Sequence, residues 1–359
     1  MAKTANNDGE WKEGLGSVSP ANKNKLTTPA TTEEGPDSLL TLDRLNPIRR
    51  FEMSNTKAGR SIANHFDEFA NGTLPGVDVG KGVDTVPVPV QVDIPDNVHL
   101  PEGFTLGLIA RFYLDMASSF YSQIGTQSFT VKQLINKSRG KNTNDKVDQR
   151  TADQVFNLLK FLSTVGVTID SSAHRDYNAR GKHKASNIKS QYYDTLLPMR
   201  ALKDGDTTYI QIKNDPPLHA YAHDSAQMLQ INTEELDLTQ VVVKDDSGNV
   251  KRIIHTDIKR MTPQIQAIWY YLMGEIGRIY GLNHGKPGAT GYILYSSIYD
   301  ALERGNESTF DRTKRGSKGR VDGNITKVCD VLIKQGRIRS AATEGHGHIR
   351  NYRLKITIG

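Results

Sequence analysis

Apolar residues fall at helical spacing along "TLGLIARFYLDMASSFYSQI", residues 105–124, where Ile109, Phe112, Tyr113, Met116 and Phe120 share one stripe. "SFTVKQLINKS" follows. Thr130 is placed there to cap a short second helix whose inner face is Val131, Leu134 and Ile135. A polar loop leads to "RTADQVFNLLKFLSTVGV", 150–167, a third helix with Val155, Leu158, Leu159 and Leu162 facing inward. Beyond Gly166 the pattern turns strand-like. "VTID" and "NIKSQYYDTLLPMRAL" predict a hairpin with the basic stretch "SSAHRDYNARGKHKAS" between its strands.

The same succession returns later in the chain. "TPQIQAIWYYLMGEIGRIY", 262–280, repeats the first stripe with Ile265, Ile268, Trp269, Leu272 and Ile276. In "YILYSSIYDALERG", Ile298, Ala301 and Leu302 stand where Val131, Leu134 and Ile135 stand. "RVDGNITKVCDVLIKQGR", 320–337, matches the third helix: Ile325 with Val155, Val328 with Leu158, Cys329 with Leu159, Leu332 with Leu162, and Gly336 with Gly166. "RIRSAATEGHGHIRNYRLKITI" closes the chain as two strands around a turn bearing Gly and His. The offset drifts from 156 to 167 to 170, as expected when loops lengthen and packed faces do not. Helix, short strand, helix, helix and hairpin is the order of a winged helix. The predicted fold is therefore α+β, with tandem winged-helix (helix-turn-helix) domains.

Residues 1–60 are rich in Asn, Thr, Ser, Gly and Pro and show little periodicity, which predicts disorder. "SIANHFDEFANG", 61–72, has the make-up of a short helix, and "DTVPVPVQVDIP", 84–95, predicts an extended strap, since its prolines deny helix. The expected organisation is a largely disordered N-terminal tail over 1–98, a first winged-helix domain over 99–240 and a second over 241–359. Between the modules, "PPLHAYAHDSAQML" begins with prolines where a first helical turn tolerates them, and "DDSGNV" is a turn between strand-like runs.

Composition narrows the class. The chain has 359 residues, 36% of them apolar, enough for two domains and a tail. It holds no run of about 18 apolar residues, so no membrane span is predicted. The opening "MAKTANNDGEWKEG" lacks the apolar centre of a secretion signal. The single cysteine, Cys329, excludes a disulfide within one chain and a cysteine metal cluster. A cytoplasmic protein without cofactor is expected. Net charge is +6 and unevenly spread. The first hundred residues hold ten Lys/Arg against fourteen Asp/Glu, whereas 304–359 holds thirteen against five. A basic body behind an acidic leader favours a polyanionic partner.

A winged helix reads DNA by laying its third helix in the major groove while the wing touches the backbone. With Val155, Leu158 and Leu162 inward, the opposite face of the first such helix carries Lys146, Arg150, Asp153, Asn157 and Lys160. The second carries Arg320, Lys327 and Lys334, with Gly323 and Asp330 among them. Arg suits guanine and Asn suits adenine. The loops ahead of these helices supply phosphate contacts: Lys137, Arg139 and Lys141 in the first module, Arg312, Lys314, Arg315 and Lys318 in the second. The first wing is expected to carry Arg175, Arg180, Lys182 and Lys184, and the second His346, His348, Arg350 and Arg353. The bland alternative for each cluster is a solvated face. Their placement at four points where a duplex would run is the more specific signal.

Other chemistries are weaker. "GKPGATG", 285–291, lacks the GK[ST] ending of a phosphate-binding loop. His219 and His223 are four apart in "PPLHAYAHD", and a metal-dependent nuclease would need a third ligand, with His255 or Asp224 the nearest. "HGH", 346–348, has no later helical tyrosine to act as nucleophile. No catalytic residue is expected.

In order of elements, and in "PPLHAYAHDSAQMLQINTEELDL", "MTPQIQAIWYYLMGEI" and "HIRNYRLKITI", the chain resembles plasmid replication initiators built from two winged helices. The resemblance covers about 100–358. It implies a non-enzymatic initiator that binds repeated origin sequences in double-stranded DNA, helps open the duplex and recruits host replication proteins. It also implies a homodimer formed through the first domain, which represses the protein's own gene. A winged-helix transcriptional regulator of a mobile element would share every binding feature.

Overall fold

The structure is a computed structural model that describes residues 48–56, 59, 88–95, 106–142, 144–180, 188–205, 207–245, 247–283, 285–303, 315–345 and 352–359. All of them belong to one compact unit, Leu40–Gly359. In chain order the elements are β1 (Arg50–Ser54), β2 (Val90–Asp93), α1 (Leu106–Ile124), β3 (Phe129–Thr130), α2 (Val131–Ser138), α3 (Gln149–Leu162), β4 (Gly166–Asp170), α4 (Ser172–Arg180), β5 (Gln191–Thr195), β6 (Met199–Asp204), β7 (Thr207–Ile212), α5 (Pro217–Asp224), β8 (Met228–Asn232), a 3-10 turn (Thr233–Leu236), β9 (Gln240–Lys244), β10 (Val250–His255), α6 (Pro263–Leu282), β11 (Thr290–Leu294), α7 (Tyr295–Glu303), α8 (Arg315–Lys334), β12 (Ile338–Glu344) and β13 (Arg353–Ile358).

This is a mixed helix-and-strand fold, and its helices follow the apolar periodicity. Ile109, Phe112, Tyr113, Met116 and Phe120 are buried on α1, as are Ile265, Ile268, Trp269, Leu272 and Ile276 on α6. Thr130 caps α2: its hydroxyl accepts from the Gln133 amide at 3.1 Å, and the Gln133 side chain accepts the Thr130 amide at 2.7 Å. That reciprocal pair ties off two amides that would otherwise lack partners at the helix start. In α3 the buried side is Ala152, Val155, Leu158, Leu159, Phe161 and Leu162. In α8 it is Val321, Ile325, Val328, Cys329, Val331 and Leu332.

Two three-stranded sheets repeat one topology. β3 pairs with β7, which pairs with β6; β11 pairs with β13, which pairs with β12. In both cases the short strand between the first and second helices meets the last strand of a hairpin that follows the third helix. The predicted first hairpin therefore needs correction. β4 and β5 do pair, Gly166 opposite Thr195, but they join β2 in a separate sheet with α4 between them. The hairpin that returns to β3 is β6–β7, turning at Gly205, whose φ of 55° favours glycine. The first module thus carries an insertion between its third helix and its hairpin. Gly166 and Gly336 also part ways: Gly336 has φ 73° after α8, whereas Gly166 is the first residue of β4.

The leader needs correction too, because 1–98 is not without structure throughout. β1 pairs antiparallel with β8, Phe51 opposite Ile231, and Phe51 is fully buried between α1 and α6. Its ring centroid lies 5.2 Å from Phe112, 6.2 Å from Trp269 and 6.5 Å from Tyr270. β2 forms within the expected strap and pairs with β4. Of residues 1–98 only 48–56, 59 and 88–95 are described, and the short helix expected over 61–72 lies outside them.

Beside β1 runs a buried polar seam. Asp115 accepts from the Ser54 amide at 3.0 Å and from the Tyr270 hydroxyl at 2.6 Å, while Arg111 donates to the Ser54 carbonyl. Further along β1, Glu52 meets His219 of α5 at 2.9 Å, and Asp215 takes the other ring nitrogen at 2.7 Å. Unpaired charge is expensive in such a place: His219 lies between two carboxylates, while burial lifts the Asp115 carboxyl to about 6 against the opposing charge of Arg111. The seam continues to the second module through Gln266, which donates to the Ser138 carbonyl at 3.1 Å, and through the Arg337–Glu235 pair at 2.8 Å.

Candidate nucleic-acid interface

The outward side of α3 is set by its cap and its buried side. Asp148 accepts from the Thr151 amide and hydroxyl, both at 3.0 Å, and so fixes where the helix begins. With the apolar side anchored, Arg150, Asp153, Asn157 and Lys160 are exposed together. Gln149 donates to Asp153 at 2.9 Å across one turn, which holds that carboxylate along the helix. Lys146 is exposed in the loop just before.

α8 presents Arg320, Lys327, Asp330 and Lys334 at the surface. Tyr299 of α7 donates to Asp322 at 2.8 Å, and Asn324 donates to Gln264 of α6 at 2.7 Å. These bonds join the apolar contacts in fixing the roll of the helix. Arg150 and Arg320 stand at matching places, each ahead of a matching buried run. α8 begins earlier than expected: Arg315 and Lys318 lie on its first turns rather than in a loop.

The loop of the first module divides in two. Lys141 is exposed, but Lys137 and Arg139 are half-buried at the end of α2. Burial holds the Lys137 ammonium below its usual range, with Glu234 of the 3-10 turn opposing that shift and Arg49 adding to it. Next to them Gly140 has φ 67°, and a Cβ there would collide with the Asp237 backbone. This end of α2 is packed against the segment joining the modules, so Lys137 and Arg139 are less exposed than Lys141.

Arg175 is exposed on α4, in the connection between the paired strands β4 and β5, and pairs with Asp176 at 3.4 Å. Arg180 ends that helix. Lys182, Lys184, Arg312, Lys314, His346, His348 and Arg350 lie outside the described residues. Arg353 is described: it pairs with Glu344 at 3.1 Å and lies over the Tyr292 ring at 4.3 Å. Arg200 and Lys203, exposed on β6, were not foreseen. The signal was present in "LKDGDTTYIQI", since Asp-Gly between strand-like runs marks a tight hairpin. A groove of about 390 Å³ runs between α2, α3 and β7, lined by Lys132, Gln149, Asp153, Phe156, Thr207 and Tyr209 among others. It brings the edge of α3 and the turn end of this hairpin together.

The histidines of the nuclease reading are far apart in character. The His219 side chain is 4% exposed and that of His223 is 74% exposed. Burial opposes the charged His219 ring, but hydrogen bonds and charge from Asp215 and Glu52 outweigh it and lift the ring to about 9. Both ring nitrogens are engaged with carboxylates. Among the described residues no group of three His, Cys, Asp or Glu is placed to hold a metal ion, and no helix is long and apolar enough to cross a membrane. No protein-family model matches the chain, and no curated protein matches it in sequence.

Proposed function

We propose that this chain binds double-stranded DNA through two winged-helix modules, with α3 and α8 as the groove-entering helices, and that it serves as a plasmid-type replication initiator. The observation that carries the binding reading is the doubling. Two modules of one topology each bury one side of the third helix and expose cations on the other, with Arg150 and Arg320 at equivalent places. A partner with a repeating anionic surface suits two equivalent cationic helices on one unit. The β6–β7 and β12–β13 hairpins would act as wings. The initiator role rests on the order of elements and the sequence passages that resemble such proteins.

Fluorescence polarisation against labelled duplexes, including DNA flanking its own gene, tests the binding. Tight binding with a log–log salt slope of about −0.9 per neutralised phosphate is expected. Affinity indifferent to salt would sink the proposal. For the role, the gene is supplied to a replicon lacking an initiator. Rescue of maintenance is expected, and repression of its own promoter without rescue would leave a regulator instead.

A further inference from the structure

The long helices contain glycines whose presence demands explanation, because glycine weakens a helix interior. On α6, contacts within the chain account for them. A Cβ on Gly274 would sit 3.2 Å from Met53, and one on Gly277 would sit 2.9 Å from the Asn55 side chain, so both clear a path for β1 and the residue after it. Asn55 then donates to the Gly274 carbonyl at 3.2 Å. Gly281 has open space, but it lies one residue from the end of α6, where the last turn frays.

Gly323 fits neither account. It is the ninth residue of the 20-residue α8, and among the described residues a Cβ built there meets nothing within 4 Å. Nothing inside the described chain requires the position to be bare. It is half-buried and lies opposite the apolar side of α8, three residues after exposed Arg320 and four before exposed Lys327, which places it between them on one face. The matching residue on α3 is Asp153, held by Gln149. One of two otherwise equivalent helices therefore carries a carboxylate at the centre of its outward face, and the other carries bare backbone.

We infer that Gly323 is the point at which a DNA duplex lies directly against the backbone of α8, with Arg320 and Lys327 reaching base edges or phosphates on either side. The inference rests on the duplex-binding reading and makes the second module the deeper reader. A side chain at 323 would hold the helix off the groove floor by about one methyl group. Geometry-dependent contacts from both flanking cations would weaken together.

Gly323→Ala tests this, with Gly281→Ala as the control outside the face. A duplex is first selected from a random-sequence library by the unaltered full-length protein, and affinities for it are then measured by polarisation. Both variants are expected to fold, with the melting midpoint unchanged or raised by roughly 1–4 °C. Gly323→Ala should lose roughly tenfold or more in affinity. Repeating the selection with it should change base preference only at adjacent pairs within one half of the site. Gly281→Ala should match the unaltered protein. If Gly323→Ala binds as tightly and prefers the same bases, the inference fails while the duplex-binding reading stands. A lowered melting midpoint would make the glycine a packing residue and also overturn the inference. If the unaltered protein selects no duplex, both fail together.

Discussion

α3 and α8 agree on one side and disagree on the other. Val155 and Ile325, Leu158 and Val328, Leu159 and Cys329, Phe161 and Val331, and Leu162 and Leu332 occupy matching buried places. Opposite them, Arg150 matches Arg320, but Asn157 faces Lys327, Lys160 faces Asp330 and Asp153 faces Gly323. Packing explains the agreement. A helix that must lie on two others of the same arrangement has little freedom in the volume and spacing of its inner residues. The outer residues lie off that packed side and are not bound by its volumes, so the two helices share a buried scaffold and differ in what they expose. Neither helix carries an acid in its first turn, and α3 is capped by Asp148, whose carboxylate accepts from the Thr151 amide.

The inner equivalence can be broken outright. Leu162→Ala and Leu332→Ala should each cost roughly 2–5 kcal/mol, read as a lowered urea midpoint, because both side chains are fully buried. A cost on one helix and none on the other would end the claim that the two are held alike.

The polar seam beside β1 marks a second contrast, because its His219 has no counterpart in the second module. Against the opposing effect of burial, Asp215 and Glu52 lift its ring from the ordinary 6.5 to about 9. A raised pKa means that the folded state holds the proton more tightly. The contribution is therefore complete below about pH 6.5 and is lost as pH rises through about 9, amounting to ~3 kcal/mol at most. Urea midpoints at pH 6, 8 and 10 should fall in that order, and His219→Gln should flatten the dependence over this window. An unaltered slope in that variant would remove His219 as the cause.

On the outer faces, Arg320→Ala and Arg150→Ala should each weaken duplex binding by roughly 1–3 kcal/mol, with the larger loss at Arg320. A larger loss at Arg150 would reverse the order of the two modules. The smallest effects separate the two halves of the loop before α3. Lys141→Ala should reduce the salt slope by about 0.9, whereas Lys137→Ala, half-buried beside Glu234, should leave it unchanged. Equal slopes in both variants would mean that Lys137 swings out on binding.

Much of this arrangement was legible in the order of residues. The stripes that bury α1, α3, α6 and α8 follow from i, i+3, i+4 spacing, a property of a single turn that needs no knowledge of the neighbours. The outward positions of Arg150, Asn157, Arg320 and Lys327 follow from the same geometry. The sheet partners were less accessible. "VTID" and the strand after it read as the first hairpin, and they do pair, yet a later pair makes the sheet with β3. Period-two alternation marks a strand without naming its neighbour. Arg111 and Asp115 sit four apart on α1, a helix buried nearly all round, and only the arrival of β1 and Tyr270 gives them partners.

By itself the sequence determined that one three-helix pattern occurs twice, which side of each helix is inward, and that Arg150, Asn157, Arg320 and Lys327 are exposed, because helical periodicity is local and each turn carries its own signal. Tertiary structure alone decided that the leader supplies a strand to the core, that β6–β7 rather than β4–β5 returns to β3, and that Lys137 and Arg139 are half-buried. These outcomes depend on residues far apart in the chain, such as Phe51 with Ile231 and Gln266 with Ser138, and on which strand edges remain open once the helices have packed.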